Sequence, residues 1–234
     1  MNIGSLLTQA ALVFPERAAI VCGETQSSYT EYNGRCNRLA NALASLGLRP
    51  GDHVGLLMYN CPEMLEAMFA CFKAGFGAVP INFRLHPKEF AFIIDHSEAR
   101  AVIVSPEFDA SIAEIRGRIP KVEHIITVSP GPPGELQAYD DLLAGASEQF
   151  TDVNRSPDDI AWIFYTSGTT GLPKAAVMRN QRVIGGGAVF GRLMHEAGPG
   201  DVVYVPLPLF HTNPLCSGWG TVLVTGATMA MRRR

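Results

Sequence analysis

Hydroxyls, glycines and one lysine are concentrated in Tyr165-Thr166-Ser167-Gly168-Thr169-Thr170-Gly171-Leu172-Pro173-Lys174. Gly168 and Gly171 let a backbone turn and approach a ligand closely. The hydroxyls of Thr166, Ser167, Thr169 and Thr170, with the N–H groups between them, can donate to anionic oxygens. Lys174 adds a mobile point charge suited to a phosphate. The chemistry offered is therefore phosphate binding. The competing reading, a solvated Ser/Thr/Gly turn, has to be weighed against what delivers the segment to its place.

The delivering element is the apolar run Ile160–Tyr165, which follows the turn Ser156-Pro157-Asp158-Asp159 and reads as a strand. Upstream, strands and helices alternate. Ile3–Phe14 predicts a short amphipathic helix stopped by Pro15. Glu31–Leu46 predicts another, with Tyr32, Cys36, Leu39, Leu43 and Leu46 on one face and Gly47 closing it. His53–Met58 reads as strand. Pro62 opens a helix whose stripe is Leu65, Met68, Phe69 and Phe72 and whose stop is Gly75. Gly77–Ile81, Ala101–Ser105 and Val122–Val128 read as strands, Pro87–His96 and Asp109–Arg118 as helices, and Gly131-Pro132-Pro133-Gly134 as an exposed turn. This order implies an α/β fold with parallel sheets flanked by helices. Ligands of such sheets gather beyond the carboxyl ends of the strands, where the hydroxyl loop begins.

The 234 residues, 47% hydrophobic and 18% charged, suit a large globular domain. A net charge of −3 gives no footprint for nucleic acid. The basic end Met231-Arg232-Arg233-Arg234 is read as an unfinished strand or solvated tail. The five cysteines lack C-x-x-C or zinc spacing and are expected to be free thiols, mostly buried. With no signal peptide, the expected location is cytoplasmic, peripheral membrane attachment being compatible with it. Val202–Met231 carries no Asp, Glu, Lys or Arg, but Pro206, Pro208 and Pro214 argue against a membrane-spanning helix.

The loop is not a P-loop of the NTPase kind. Lys174 does not follow Gly171 directly, and Ala175 stands where a magnesium-binding Ser/Thr is required. Nor do Gly168 and Gly171 form a dinucleotide fingerprint. The string from Tyr165 to Lys174 instead resembles, at every position, the signature of the adenylate-forming superfamily of acyl-CoA synthetases, luciferases and nonribosomal adenylation domains. Ser28-Tyr29-Thr30-Glu31-Tyr32 resembles its "TYxEL" segment, Lys73–Asn82 its "KAGxxxVPIN" segment, and Pro206–His211 its "PLFH" segment. The resemblance spans essentially the whole chain. Ile81–Leu85 and "PLFH" are most similar to fatty-acyl-CoA synthetases, and Lys174-Ala175-Ala176 resembles the fatty-acid-transport-protein-like branch.

The resemblance implies ATP-dependent activation of a carboxylic acid to an acyl-adenylate, with pyrophosphate released, then transfer to coenzyme A. A medium- or long-chain fatty acid is the implied substrate. Thr166, Ser167, Gly168, Thr169, Thr170 and Gly171 would cradle the departing phosphates. Thr166 would help hold Mg2+, and Lys174 would steady the outer phosphates. Pre-positioned donors serve this best because they need no reorganisation at the transition state. His211 is implied to lie beside the acyl pocket, a backbone-bonded structural histidine being nearly as good a reading. Lys73 sits in a matching segment, yet a helix-end lysine snorkelling to solvent accounts for it. Trp219, Phe210 and Leu215 read as core before channel. Asn180 stands where many relatives have histidine, and Gly185-Gly186-Gly187 falls inside a helix it weakens.

The family's "YGxTE" segment, ribose aspartate, hinge and small C-terminal domain with its adenylation lysine have no counterpart in this sequence. The expectation is the N-terminal part of the large domain. Roughly residues 48–190 form a first α/β subdomain with the phosphate loop, and 1–47 and 191–234 contribute to a second, incomplete one. Three functions stay open: the phosphate-loop portion of an acid–thiol ligase, an inactive fragment or split subunit binding nucleotide or acyl chain weakly, and, least favoured, an unrelated NTPase. Uncovered apolar surface in Val202–Met231 implies homodimerisation, or association with a missing C-terminal portion.

Overall fold

The structure, a computed structural model, describes residues 2–130, 134–166 and 172–233 (backbone alone at 183, 184 and 187). Its elements in chain order are α1 (Gly4–Val13), β1 (Ala18–Cys22), β2 (Thr25–Ser28), α2 (Tyr29–Ser45), β3 (His53–Leu57), α3 (Pro62–Ala74), β4 (Gly77–Pro80), α4 (Pro87–His96) and β5 (Ala99–Val104). There follow α5 (Asp109–Glu114), β6 (His124–Thr127), β7 (Gln137–Ala138), α6 (Tyr139–Ala144), β8 (Ile160–Thr166), β9 (Lys174–Arg179), α7 (Asn180–Ala188), β10 (Val202–Val205), α8 (Gly220–Thr225) and β11 (Thr228–Met231). Two wide, π-type helical segments, Val189–Met194 and Pro214–Trp219, flank β10.

The strands form two sheets. The larger has the order β7-β6-β5-β3-β4-β8-β9, the smaller β10-β11-β1-β2. All neighbours in the larger sheet are parallel except β8 and β9, which form an antiparallel hairpin at its edge. The hydroxyl loop therefore connects two strands of a hairpin rather than a strand to a helix. In the smaller sheet β11 joins β1 in parallel, pairing Ile20 with Met229. The uncharged run Val202–Met231 thus supplies two strands and the helical turns between them. No helix among the described residues is long and apolar enough to cross a membrane.

Local chemistry explains the helix limits. Ser28 and Glu31 make a capping box at the start of α2, each side chain bonding the other's backbone N–H. Pro62 occupies the first turn of α3, and Gly75 ends it in the left-handed region at φ 75°. Asp109–Arg118 is not one helix: α5 stops at Glu114 and a 3₁₀ turn covers Arg116–Arg118.

One core lies where α2, α3 and α8 meet between the sheets, around an aromatic group of Tyr32, Phe69 and Trp219. The Trp219 ring centroid is 5.3 Å from that of Tyr32 and 5.7 Å from that of Phe69, both edge-on. Such pairs contribute roughly 0.5–1.5 kcal/mol each beyond their buried area. Trp219 and Leu215 are thus buried packing residues. A second core, on the other face of the large sheet, joins Val79, Val102 and Val104 to Ile93 and Ile94 of α4. All five cysteines are free, and only Cys22 is partly exposed.

Lys73 corrects its sequence reading. It does not snorkel: it is 0% exposed, its Nζ lies 2.9 Å from Asp152 Oδ1, and it donates to the Thr8 hydroxyl. Asn2 closes the same junction, donating through Nδ2 to the Val153 carbonyl at 2.9 Å. The cluster ties α1 and the segment before β8 to the end of α3.

Candidate functional site

The carboxyl ends of β3, β4, β5 and β8 point the same way, because these strands are mutually parallel. Chain leaving them forms one rim: Tyr59 and Asn60 after β3, Asn82 and Phe83 after β4, Ser105 after β5, and Thr166 at the end of β8. Side chains of β8 alternate across the sheet. Trp162 and Phe164 face the first core, while Ile163 and Tyr165 face the second. Thr166 is exposed and is the register partner of Lys174, which is also exposed and opens β9. Lys174 pairs with no carboxylate among the described residues. Ser167, Gly168, Thr169, Thr170 and Gly171 lie outside the described residues.

A pocket of about 260 Å³ opens beside this hairpin. Its walls include Asn82, Leu85 and Glu89 from the β4–α4 connection and α4, Phe164, Tyr165 and Thr166 from β8, Pro173, and Phe210, His211 and Thr212. Thr166 and His211, far apart in sequence, therefore meet at one cavity. Its lining mixes apolar and aromatic side chains with hydroxyl-bearing and ionisable ones, which is the usual mixture of a small-molecule site. A larger, open groove of about 840 Å³ between α1 and α8 carries Gln9, Arg192, Glu196 and Thr225 in its walls, but it is not at the carboxyl ends of the parallel strands and includes none of Thr166, Lys174 or His211. Position and chemistry, not size, select the smaller pocket.

His211 is placed by a residue the sequence reading passed over. Asn60, 1% exposed, donates through Nδ2 to the Leu207 carbonyl at 3.0 Å and accepts from the Leu209 N–H at 2.8 Å. Both ends of one amide thus clip the Pro206–His211 segment to the rim beyond β3. Phe210 then stacks edge-on to Phe83 at 5.2 Å, and the His211 ring lies 4.3 Å from Phe210. Burial, and secondarily the Arg84 charge, hold the His211 pKa below its ordinary value, which favours the neutral imidazole. No sequence signal short of the segment match could have found Asn60, since its partners are remote in the chain.

Other singled-out residues lie elsewhere. Lys73 is at the end of α3, near the starts of β3 and β4 and so at the opposite edge of the sheet. Asn180 is buried, its side chain donating to the Ser156 carbonyl at 3.3 Å, and braces the turn before β8. No group of three or more His, Cys, Asp or Glu side chains among the described residues could hold a metal ion.

Comparison with known proteins gives a family match described as "AMP-binding enzyme" over residues 7–234. A 3-oxocholest-4-en-26-oate–CoA ligase of Rhodococcus rhodochrous is 34% identical, the match covering 81% of this chain and 36% of that protein. A medium/long-chain-fatty-acid–CoA ligase of Mycobacterium tuberculosis is 31% identical over 98% of this chain and 38% of its own length. Among solved structures, an anthranilate CoA ligase in complex with anthranoyl-AMP superimposes with a TM-score of 0.95 at 27% identity, covering 98% of this chain and 44% of that one. The N-terminal domain of FACL13 from Mycobacterium tuberculosis gives 0.89 at 30% identity, covering 100% and 57%. The chain spans less than half the length of those two curated relatives.

Proposed function

The chain belongs to the AMP-binding enzyme family, and from that premise we propose that it carries the phosphate-binding part of an ATP-dependent acid–thiol ligase. In this reaction a carboxylate oxygen attacks the α-phosphorus of ATP. The bond to the bridging oxygen breaks, pyrophosphate leaves, and an acyl-adenylate forms. The thiol of coenzyme A then takes the acyl group and AMP is released.

The observation that supports this reading is the convergence of Thr166, the Lys174-bearing hairpin and His211 at one strand-end pocket. Lys174 meets the outer phosphates, whose charge grows as pyrophosphate departs. The hydroxyls of Thr166, Ser167, Thr169 and Thr170, with the N–H groups around Gly168 and Gly171, donate to the same oxygens. Magnesium arrives with the nucleotide. Mg2+ is usually held by substrate phosphates and few protein oxygens, and the exposed Thr166 hydroxyl suits that share. His211, neutral and backed by Phe210, lies beside the reacting carboxylate as a wall and hydrogen-bonding group rather than a general base. The acid is a medium- or long-chain fatty acid, in keeping with the Ile81–Leu85 wording and the fatty-acid ligase relative. A sterol side-chain acid, the substrate named for another relative, is the competing choice.

A second reading is nucleotide binding without turnover by this chain alone. Calorimetric titration of magnesium pyrophosphate and Mg-ATP into the 234-residue chain tests the first. Saturable binding is expected, weakened roughly 10- to 100-fold by Lys174→Ala, the worth of one charged contact. Absence of binding sinks the reading, and binding indifferent to the substitution removes Lys174 from it. Robust palmitoyl-CoA formation by the same sample rejects the second reading.

A further inference from the structure

His96, the last residue of α4, is absent from every motif, yet its Nδ1 lies 2.8 Å from the Tyr165 hydroxyl. The two rings meet edge-on with centroids 5.8 Å apart, and Phe92, one turn back on α4, backs the imidazole at 5.2 Å. We infer that His96 is a positioning residue for the phosphate site: it latches Tyr165 to α4 and thereby fixes the end of β8 from which Thr166 and the loop emerge. This inference rests on the nucleotide reading for its functional meaning.

The geometry carries it in three steps. First, Tyr165 is the residue before Thr166, so a displaced Tyr165 backbone displaces the loop's first hydroxyl. Second, β9 is the edge strand with no strand beyond it, and the register pair that joins β8 to its other neighbour, β4, is Trp162 with Ala78, four residues before Thr166. Third, α4 is a firm anchor. The His86 side chain accepts from the Lys88 N–H, the Glu89 carboxylate accepts from the His86 N–H at 2.9 Å, and Ile93 and Ile94 are buried in the second core. The same helix supplies Glu89 to the pocket wall. One rigid element therefore bounds the pocket and holds the strand end. Burial raises the Tyr165 phenol to about 12. The hydroxyl stays protonated at neutral pH and donates to Nδ1 when the ring proton is on Nε2.

Hydrogen exchange with peptide resolution on the full 234-residue chain tests the latch without any ligand. Tyr165→Phe and His96→Leu should each speed exchange in segments 160–166 and 174–178 by about 2- to 10-fold, the effect of losing one hydrogen bond. The double variant should go no further than either single one. His96→Asn, which keeps a polar atom near the Nδ1 position, should restore slow exchange. Wild-type exchange in the single variants, additive effects in the double one, or acceleration spread evenly over the chain with a lowered Tm would each overturn the inference. Pyrophosphate titration runs alongside: no binding by the wild-type chain would sink the nucleotide reading, while the exchange result still decides the latch.

Discussion

Thr166 and Lys174 face each other as the last register pair of the β8–β9 ladder. A hydroxyl and a cation are thus held at the two feet of one loop, at fixed separation, whatever residues 167–173 do between them. Antiparallel pairing makes this possible, since a strand-to-helix connection would have carried Lys174 away from the rim. Thr166→Val tests the hydroxyl's part. Because Thr166 is exposed, stability should change by no more than about 0.5 kcal/mol. Pyrophosphate affinity should fall more with Mg2+ present than without it. Equal loss in the two titrations would mean that the hydroxyl serves phosphate alone.

His211 should make stability depend on pH. Its folded-state pKa is depressed below 6.5, by burial first and by Arg84 second. Between the unfolded and folded pKa values the unfolded chain binds more protons. The stabilising contribution is therefore fully present above the unfolded value and is lost as pH falls through the folded one. His211→Gln should flatten that part of the Tm–pH curve, and Arg84→Gln should move the His211 NMR titration upward. A wild-type titration midpoint at or above 6.5 would remove the cause assigned to the shift.

Asn60 predicts a different signature. Asn60→Ala removes both bonds to the 207–209 segment and leaves the Leu209 N–H buried without a partner, at a cost of about 1–3 kcal/mol. Because that segment carries His211, loosening it should hydrate the imidazole and return its titration toward 6.5. Lost stability with an unmoved His211 titration would show that the clip supports the core but not the site.

The helices were legible where local chemistry sets their limits. Pro62, the apolar stripe and Gly75 define α3 without help from the rest of the fold. The capping residues Ser28 and Glu31 were equally visible, but as part of a motif rather than as a helix start. The hairpin β1–β2 was not legible, because Thr25–Ser28 is short, polar and largely exposed, and β1 gains its place only by pairing with β11 at the far end of the chain. The site divides in the same way. Thr166 and Lys174 announce themselves by type and spacing, and His211 only through the resemblance of its segment. Asn60 and His96 do not, because each acts through a hydrogen bond to a residue that only folding brings near. Lys73 was misread because its carboxylate partner, Asp152, follows a long stretch of intervening chain.

The Lys73–Asp152 pair predicts an asymmetry between single and double substitutions. Lys73→Met leaves the Asp152 carboxylate facing a site built for a cation, and should lower stability by about 3 kcal/mol or more. Combining it with Asp152→Leu removes the stranded charge and should recover much of the loss. Urea unfolding of the wild type, both single variants and the double one gives the coupling directly. A double variant as unstable as the sum of the single ones would mean that packing around Thr8 and Asn2, not the ion pair, holds this junction.

The edge of the smaller sheet carries the last prediction. β10 is its terminal strand, and Val202 and Tyr204, 64% and 56% exposed, stand on the same face of it. An apolar edge with unpaired backbone groups is a template for another strand. The isolated chain should therefore self-associate reversibly as concentration rises, through this edge and not through the pocket. Replacing both residues, Val202→Lys with Tyr204→Lys, should shift sedimentation toward monomer without lowering Tm, because neither side chain is part of the core. Like charges then repel at any edge-to-edge pairing, while the β10–β11 ladder on the other side is untouched. A wild-type chain that sediments as monomer throughout, or a charged variant that associates as strongly, would show that this edge is already protected by its own twist and shortness.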